Sequence, residues 1–131
     1  ESLDTWKGLK GASFITGAMC KCQYSPLDML MFYDARPCVM CSLFETDRPW
    51  VALKGYYPFK MFSELYELNE AIKVKSDDGS IYAAAAKDNK TAKILLTFFE
   101  NGSAEQNKEV IIKLKNLGLS QFLMRITTAF R

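Results

Sequence analysis

The sequence predicts an α+β fold in which a helix–strand–helix stretch precedes an antiparallel sheet. Apolar residues recur at helical spacing over the first 23 residues and again from Pro58 onward. A short, nearly continuous apolar run, LDMLMFY, separates these two helices. From Ala71 onward, apolar and polar residues alternate between turn-forming dipeptides, which is the pattern of short β-strands.

The first helix is predicted to run from Leu3 to about Gln23. Its glycines, Gly8, Gly11 and Gly17, each cost roughly 1 kcal/mol relative to alanine in a helix interior. Glycines retained at that cost usually permit close packing, so we expect this helix to lie against a layer of strands. Its apolar stripe comprises Leu3, Trp6, Leu9, Phe14, Ala18 and Met19.

The run Leu27–Tyr33 is short and apolar on both faces, which is typical of a strand buried in a parallel sheet. Polarity returns at Asp34, and a loop is predicted from Cys38 to about Tyr57. A second helix then extends from Pro58 to about Asn69, with proline in the first turn, where it is well tolerated.

The pattern of residues 71–131 predicts about five short antiparallel strands, which would form half of a β-sandwich. Asp78-Gly79 and Asn101-Gly102 are good turn formers between them. The shift in pattern near residue 70 predicts a boundary between a unit at 1–70 and a second, incomplete unit at 71–131. The predicted strands are Ile72 to Ser76, Ile81 to Ala86, Ala92 to Phe99, Val110 to Leu114 and Phe122 to Thr128.

The composition is that of a globular protein, because 49% of the 131 residues are apolar and 24% are charged. The net charge of +2 is spread along the chain, so we expect neither a nucleic-acid nor a membrane partner. We predict no membrane span, and the polar start ESLD is not a signal peptide. The lack of histidine excludes Ser-His and Cys-His nucleophile pairs.

Four cysteines, at positions 20, 22, 38 and 41, form a C-x-C pair and a C-x-x-C pair, a spacing that loosely fits a zinc site. However, Cys20 and Cys22 belong to a predicted packed helix, whereas zinc knuckles are polar and rich in glycine. We therefore predict small buried side chains or free thiols, with a zinc site or a disulfide as the alternatives. No metal or cofactor is expected, and free thiols favour a bacterial cytoplasm.

Three stretches, KGLKGASFITGAMCKCQ, LDMLMFYDARPC and LKGYYPFKMFSELYELN, resemble the end of the barrel in bacterial clan A glycoside hydrolases of the family 39 type. The resemblance implies that the first helix is the seventh of a (β/α)₈ barrel and that the apolar run is strand eight. The third stretch would open helix eight, and a β-sandwich would follow. The resemblance covers residues 1 to about 70, and residues 71–131 match only in strand pattern.

The resemblance also implies what this chain lacks. In the family, an acid/base Glu follows strand four and a nucleophile Glu follows strand seven, and both would precede Glu1. Asn69-Glu70 mimics the family's Asn-Glu dipeptide, but it lies at a predicted helix end. We therefore expect the C-terminal portion of a glycoside hydrolase acting on oligo- or polysaccharide, without the catalytic carboxylate pair and inactive alone.

Candidate substrate-binding residues follow the apolar run, because active sites of such barrels lie at the C-terminal ends of their strands. Tyr33 would stack on a sugar ring, while Asp34 and Arg36 would hydrogen-bond sugar hydroxyls. In the alternative interpretation, Asp34 and Arg36 form an ion pair that fixes the loop begun by Pro37.

The long loop offers Glu45 and Trp50, since an aromatic ring beside carboxylates suits carbohydrate. Its alternative is a solvated loop with one packed tryptophan. Two other functions remain open: a stand-alone dimerising or carbohydrate-binding module, and a small zinc-binding interaction domain. As a fragment, the chain is expected to form homo-oligomers, because Leu27–Tyr33 would leave apolar surface and open strand edges.

Overall fold

A computed structural model describes residues 3–102 and 108–115. Helices precede an antiparallel sheet of strand order β1-β2-β3, so the predicted α+β class is confirmed. In the described part of the chain, no helix combines the length and apolarity needed to cross a membrane. The elements are α1 (Leu3–Lys7), α2 (Leu9–Cys22), α3 (Tyr56–Tyr66), β1 (Glu70–Ile72), β2 (Ile81–Lys87) and β3 (Ala92–Phe98).

The first predicted helix is observed as two, because the backbone is extended at Gly8, the residue that precedes α2. A Cβ atom at Gly11 would lie 2.1 Å from the carbonyl oxygen of Trp6, so the turn between α1 and α2 requires glycine there. A Cβ atom at Gly17 would lie 3.3 Å from the ring of Tyr82 on β2. The helix therefore packs closely on a strand layer, as its glycines predict.

The second predicted helix is present as α3, which begins two residues earlier and ends three residues earlier than expected. Pro58 lies in its first turn, where the missing N–H costs no helical hydrogen bond. After the helix, Asn69 adopts a φ of 60°. Asparagine tolerates this left-handed conformation better than most residues, and it directs the chain into β1.

The β2–β3 hairpin is the longest pairing, with Ile81 opposite Phe98 and Lys87 opposite Ala92. Its turn is fixed by the Asp88 carboxylate, which accepts the backbone N–H groups of Lys90 at 2.7 Å and Thr91 at 2.6 Å. These two bonds stabilise the ionised form and hold the pKa of Asp88 below its usual value.

A single core joins the helices to the sheet, since α2 and α3 both contact β2 and β3 on one face. Alanines on β2 leave room for the helices to approach, and Leu95 of β3 fills the space between them. The core takes residues from both sides of position 70, so the two parts of the chain pack together here. The division into two domains at residue 70 stays a prediction. The core residues are Cys20, Leu65, Leu68, Ala84, Ala86 and Leu95.

The prediction of a buried strand at Leu27–Tyr33 is wrong for this structure. Within the described residues, the segment between α2 and α3 contains no strand, only an isolated bridge between Phe44 and Ala52. The side chains of Met29 and Met31 are 70% and 80% exposed. A strand of this composition needs a neighbour on each edge and a layer on each face, and the described antiparallel sheet supplies neither to this segment.

The predicted strands after residue 70 are confirmed in part. The first is shorter and earlier than expected, at Glu70–Ile72, whereas the second and third are present almost as predicted. Residues 110–114 have no regular secondary structure, so the strand predicted there is wrong for this structure. The strand predicted at 122–128 lies outside the described residues.

Replacing Leu95 with alanine should lower the free energy of unfolding by about 2–5 kcal/mol, because Leu95 is only 3% exposed at the centre of the core. Urea denaturation followed by circular dichroism measures this change. Ile111→Ala is the matched control, since Ile111 is 77% exposed, and its effect should stay within about 0.5 kcal/mol. Equal losses for the two variants would show that the core is elsewhere.

Candidate functional site

An apolar groove of about 420 Å³ lies between α2, the irregular segment at 27–33 and the first turns of α3. Each of these three elements contributes large apolar side chains to its wall, and Leu43 and Gly55 also line it. The groove is therefore an apolar concave surface next to Tyr33 of the predicted site. Its larger lining residues are Trp6, Phe14, Ile15, Met19, Leu27, Met29, Leu30, Met31, Phe32, Tyr33, Phe59 and Phe62.

One aromatic contact anchors the irregular segment to the helix. The rings of Phe32 and Phe59 meet edge to face, with centroids 5.5 Å apart. Phe32 is half-buried, whereas its neighbours Met31 and Tyr33 are 80% and 83% exposed. The Phe32 ring thus packs against α3, while the side chains of Met31 and Tyr33, on either side of it, are exposed to solvent.

The predicted residues Tyr33, Asp34 and Arg36 lie at the end of this segment, and Tyr33 also lines the groove. The Nε–H of Arg36 donates to Oδ2 of Asp34 at 2.6 Å, and the backbone N–H of Arg36 donates to Oδ1 at 3.3 Å. Arg36 thereby holds the pKa of Asp34 below its usual value, so this carboxylate is ionised near neutral pH. The geometry is that of the loop-fixing ion pair, with the Arg36 side chain largely exposed.

The predicted residues Glu45 and Trp50 lie in the next loop, whose ends are joined by the Phe44–Ala52 bridge. Oε2 of Glu45 is 2.6 Å from Nη2 of Arg48, and the backbone N–H of Glu45 donates to the carbonyl of Val51 at 2.9 Å. The Trp50 ring is 78% exposed, so the alternative of a packed tryptophan is wrong. Trp50 is therefore available to a ligand.

The five predicted residues form two groups in the structure. Tyr33, Asp34 and Arg36 share one turn, and Glu45 and Trp50 share another. In the described part of the chain, no hydrogen bond or ion pair joins the two groups. Each group could contact a sugar through one exposed ring and one ion pair, but the structure does not assemble them into a single pocket.

Sequence reasoning missed the groove itself. Phe59 and Phe62 belong to the apolar stripe of the second predicted helix, a pattern that indicates core residues; both line the groove, and Phe62 also packs against the helix–sheet core. No sequence signal distinguishes the two roles, because an apolar helical stripe looks the same whether it faces a filled core or an open groove. The loop contacts were missed as well: Lys7 Nζ and Thr46 Oγ1 both donate to the Cys38 carbonyl, at 3.0 and 3.2 Å.

All four cysteines are free thiols. Cys20 is buried in the helix–sheet core, and this burial raises the pKa of its thiol to about 11. Cys22, Cys38 and Cys41 are half-buried. Among residues 3–102 and 108–115, no group of three or more cysteine or acidic side chains is placed to hold a metal ion.

No family model, curated protein or solved structure matches this chain. The resemblance to clan A glycoside hydrolases therefore remains a proposal.

The four thiols should differ in reactivity. At about pH 8, Cys22, Cys38 and Cys41 should react with iodoacetamide, while Cys20 stays unmodified, because only the thiolate is nucleophilic and burial disfavours it. Peptide mapping by mass spectrometry measures the modification of each residue. Labelling after denaturation in urea is the control and should modify all four. Modification of native Cys20 at the rate of Cys38 would contradict its place in the core.

Proposed function

We propose that this chain is the C-terminal portion of a glycoside hydrolase acting on oligo- or polysaccharide, and that it is inactive alone. The observation that carries the proposal is the exposed apolar segment along the groove. Leu27, Met29, Leu30 and Met31 are each at least half exposed. A contiguous apolar surface of this kind usually marks a contact with another part of a protein or with a partner. The missing barrel strands of a parent enzyme would cover it.

The side chains beside this segment support carbohydrate as the ligand of the parent. Sugar sites combine an aromatic face with a few polar groups that fix orientation. Tyr33 supplies an exposed ring, and Asp34 and Arg36 supply a fixed acceptor and a fixed set of donors. Trp50 offers a second exposed ring. In a complete barrel, such residues would lie at the substrate end of the last strand.

The proposal includes a β-sandwich of about five strands over residues 71–131 in the parent enzyme, although residues 110–114 form no strand in the structure of this chain. Alternate residues of a strand point to opposite faces, and Tyr82, Ala84, Ala86 and Leu95 contact the helices. The remaining residues of β2 and β3 point to the opposite face. Most of them are apolar, so this face is suited to packing against a second sheet. Lys108 lies 5.4 Å from the centre of the Phe98 ring on that side. The residues of that face are Ile81, Ala83, Ala85, Lys87, Ala92, Ile94, Leu96 and Phe98.

The electrostatics of the described acids support inactivity of the isolated chain. A retaining glycosidase needs two carboxyl groups about 5–5.5 Å apart, one with a raised pKa. Asp34 and Glu45 are instead each paired with an arginine, and the pKa of Asp34 is lowered. Glu70, of the Asn-Glu dipeptide, begins β1; its Oε1 lies 3.3 Å from Nζ of Lys87, and the Glu70 side chain is largely exposed.

A stand-alone module that self-associates or binds carbohydrate is the second candidate, and the same exposed segment favours it. Residues 27–33 would then contact a second copy or a ligand instead of a parent barrel. For the zinc-binding alternative, the cysteine spacing is the supporting observation, and within residues 3–102 and 108–115 the structure brings no three ligating side chains together.

The isolated chain should hydrolyse no aryl glycoside, and it should bind an oligosaccharide weakly, with a Kd in roughly the millimolar range. Tyr33→Ala and Trp50→Ala should weaken that binding, because they remove the exposed rings. Tyr66→Ala is the control, since Tyr66 is equally exposed on α3 and away from the predicted site. NMR titration measures binding, and a chromogenic assay measures turnover. Turnover that Asp34→Asn abolishes would place a catalytic site in this chain.

The reading frame upstream of residue 1 tests directly whether this chain belongs to a larger parent enzyme. Six or seven βα units encoded in frame would support the enzyme, whereas a start codon immediately upstream would support the stand-alone module.

A further inference from the structure

The outer edge of β3 is open in the part of the chain that the structure describes, because β3 is the last strand in the sheet order. At the ends of the hairpin, Asp88 N–H donates to Thr91 and Phe99 N–H donates to Ser80, both at 2.9 Å. In an antiparallel ladder, residues alternate between bonding the neighbouring strand and pointing away from it. Odd-numbered residues 91–99 therefore bond β2.

It follows that the N–H and C=O groups of Ala92, Ile94, Leu96 and Phe98 point outward at this edge. An exposed edge is usually protected by a proline, a bulge, several charges or a very short strand. β3 has seven residues, and Lys93 is its single charge. Lys93 lies near one end of β3 and also contacts Glu64 at 3.0 Å, so the rest of the edge carries no charge that would repel another strand.

We propose that this edge is a dimerisation surface, at which β3 pairs antiparallel with β3 of a second copy about a two-fold axis at Leu95. Ile94 would then lie opposite Leu96 of the partner subunit, and Ala92 opposite Phe98 of the partner subunit. All four outward residues of each strand fall into hydrogen-bonded pairs in this register, because they are two residues apart and symmetric about Leu95. The two sheets become one of six strands, joined by a self-complementary interface.

The register also places side chains favourably. The pairs on the face away from the helices are apolar, and such cross-strand pairs stabilise a sheet. On the helix face, Lys93 lies opposite Thr97 of the partner subunit, in a non-hydrogen-bonded pair where side chains approach most closely. Like charges do not meet, because Lys93 of one copy and Lys93 of the partner subunit lie at opposite ends of the interface.

Among the described residues, the competing occupant is the segment at 108–115, whose Lys108 lies beside Phe98 and 2.6 Å from Asp78. That segment starts at the correct end of β3 for an antiparallel fourth strand. It nevertheless forms no strand in the structure, and Ile111 remains exposed. The open edge and its self-complementary register therefore favour the second copy. This inference is independent of the proposed enzymatic origin of the chain.

Sedimentation equilibrium of the full chain, with two matched variants of one residue, tests the register. Thr97→Lys places two Lys–Lys pairs across the interface and should raise the dimer Kd by roughly 2- to 30-fold. Thr97→Glu places two Lys–Glu pairs there and should lower the Kd by a similar factor. Circular dichroism checks that both variants fold.

Ile94→Pro should give a monomer, because its ring replaces an outward N–H that β2 does not use, and Ile94→Val should dimerise as wild type does. If Ile94→Pro fails to fold, the variants Thr97→Lys and Thr97→Glu decide whether β3 forms the dimer in this register. A wild-type monomer at about millimolar concentration would overturn the proposal, because a free edge at that concentration should be occupied. A dimer whose Kd is the same in both Thr97 variants would overturn it as well.

Discussion

The packing of two helices on the small residues of β2 is the constraint on which the rest of the structure depends. Ala84 and Ala86 allow α2 and α3 to lie close to the sheet, and Gly17 removes the side chain that would meet Tyr82. Leu95 completes this core from β3. Because both helices are fixed on the sheet, the segment that joins them lies against them, and residues 27–33 form one wall of the groove.

The helices and the β2–β3 hairpin could be predicted from the sequence because their signals are local. Helical periodicity located α2 and α3, and the two apolar runs at 81–86 and 92–99 located the hairpin. The run Leu27–Tyr33 could not be placed in this way. A continuous apolar run indicates burial on two faces, but whether neighbouring strands exist to bury it depends on residues far away in sequence or in another chain. The break at Gly8 had a signal, since glycine is costly in a helix.

The candidate site was predictable in its chemistry and not in its shape. Asp34 and Arg36 are two residues apart, so their ion pair is a local consequence of the turn, and the sequence offered it as an alternative. The exposure of Trp50 and the groove beside Phe59 and Phe62 depend on how the loop is placed against α3. Exposed rings next to an uncovered apolar segment are consistent with a surface completed by further protein, which connects the fold to the proposed parent enzyme.

Hydrogen exchange of the backbone amides tests most directly whether Leu27–Tyr33 lacks strand partners in this chain. Amides of α2, β2 and β3 should be protected, because they lie in the helix–sheet core. Amides of residues 27–33 should exchange close to the rate of an unstructured peptide, since the structure gives them no ladder. Protection of residues 27–33 equal to that of β2 would contradict this account, because it would show that the segment forms a paired strand.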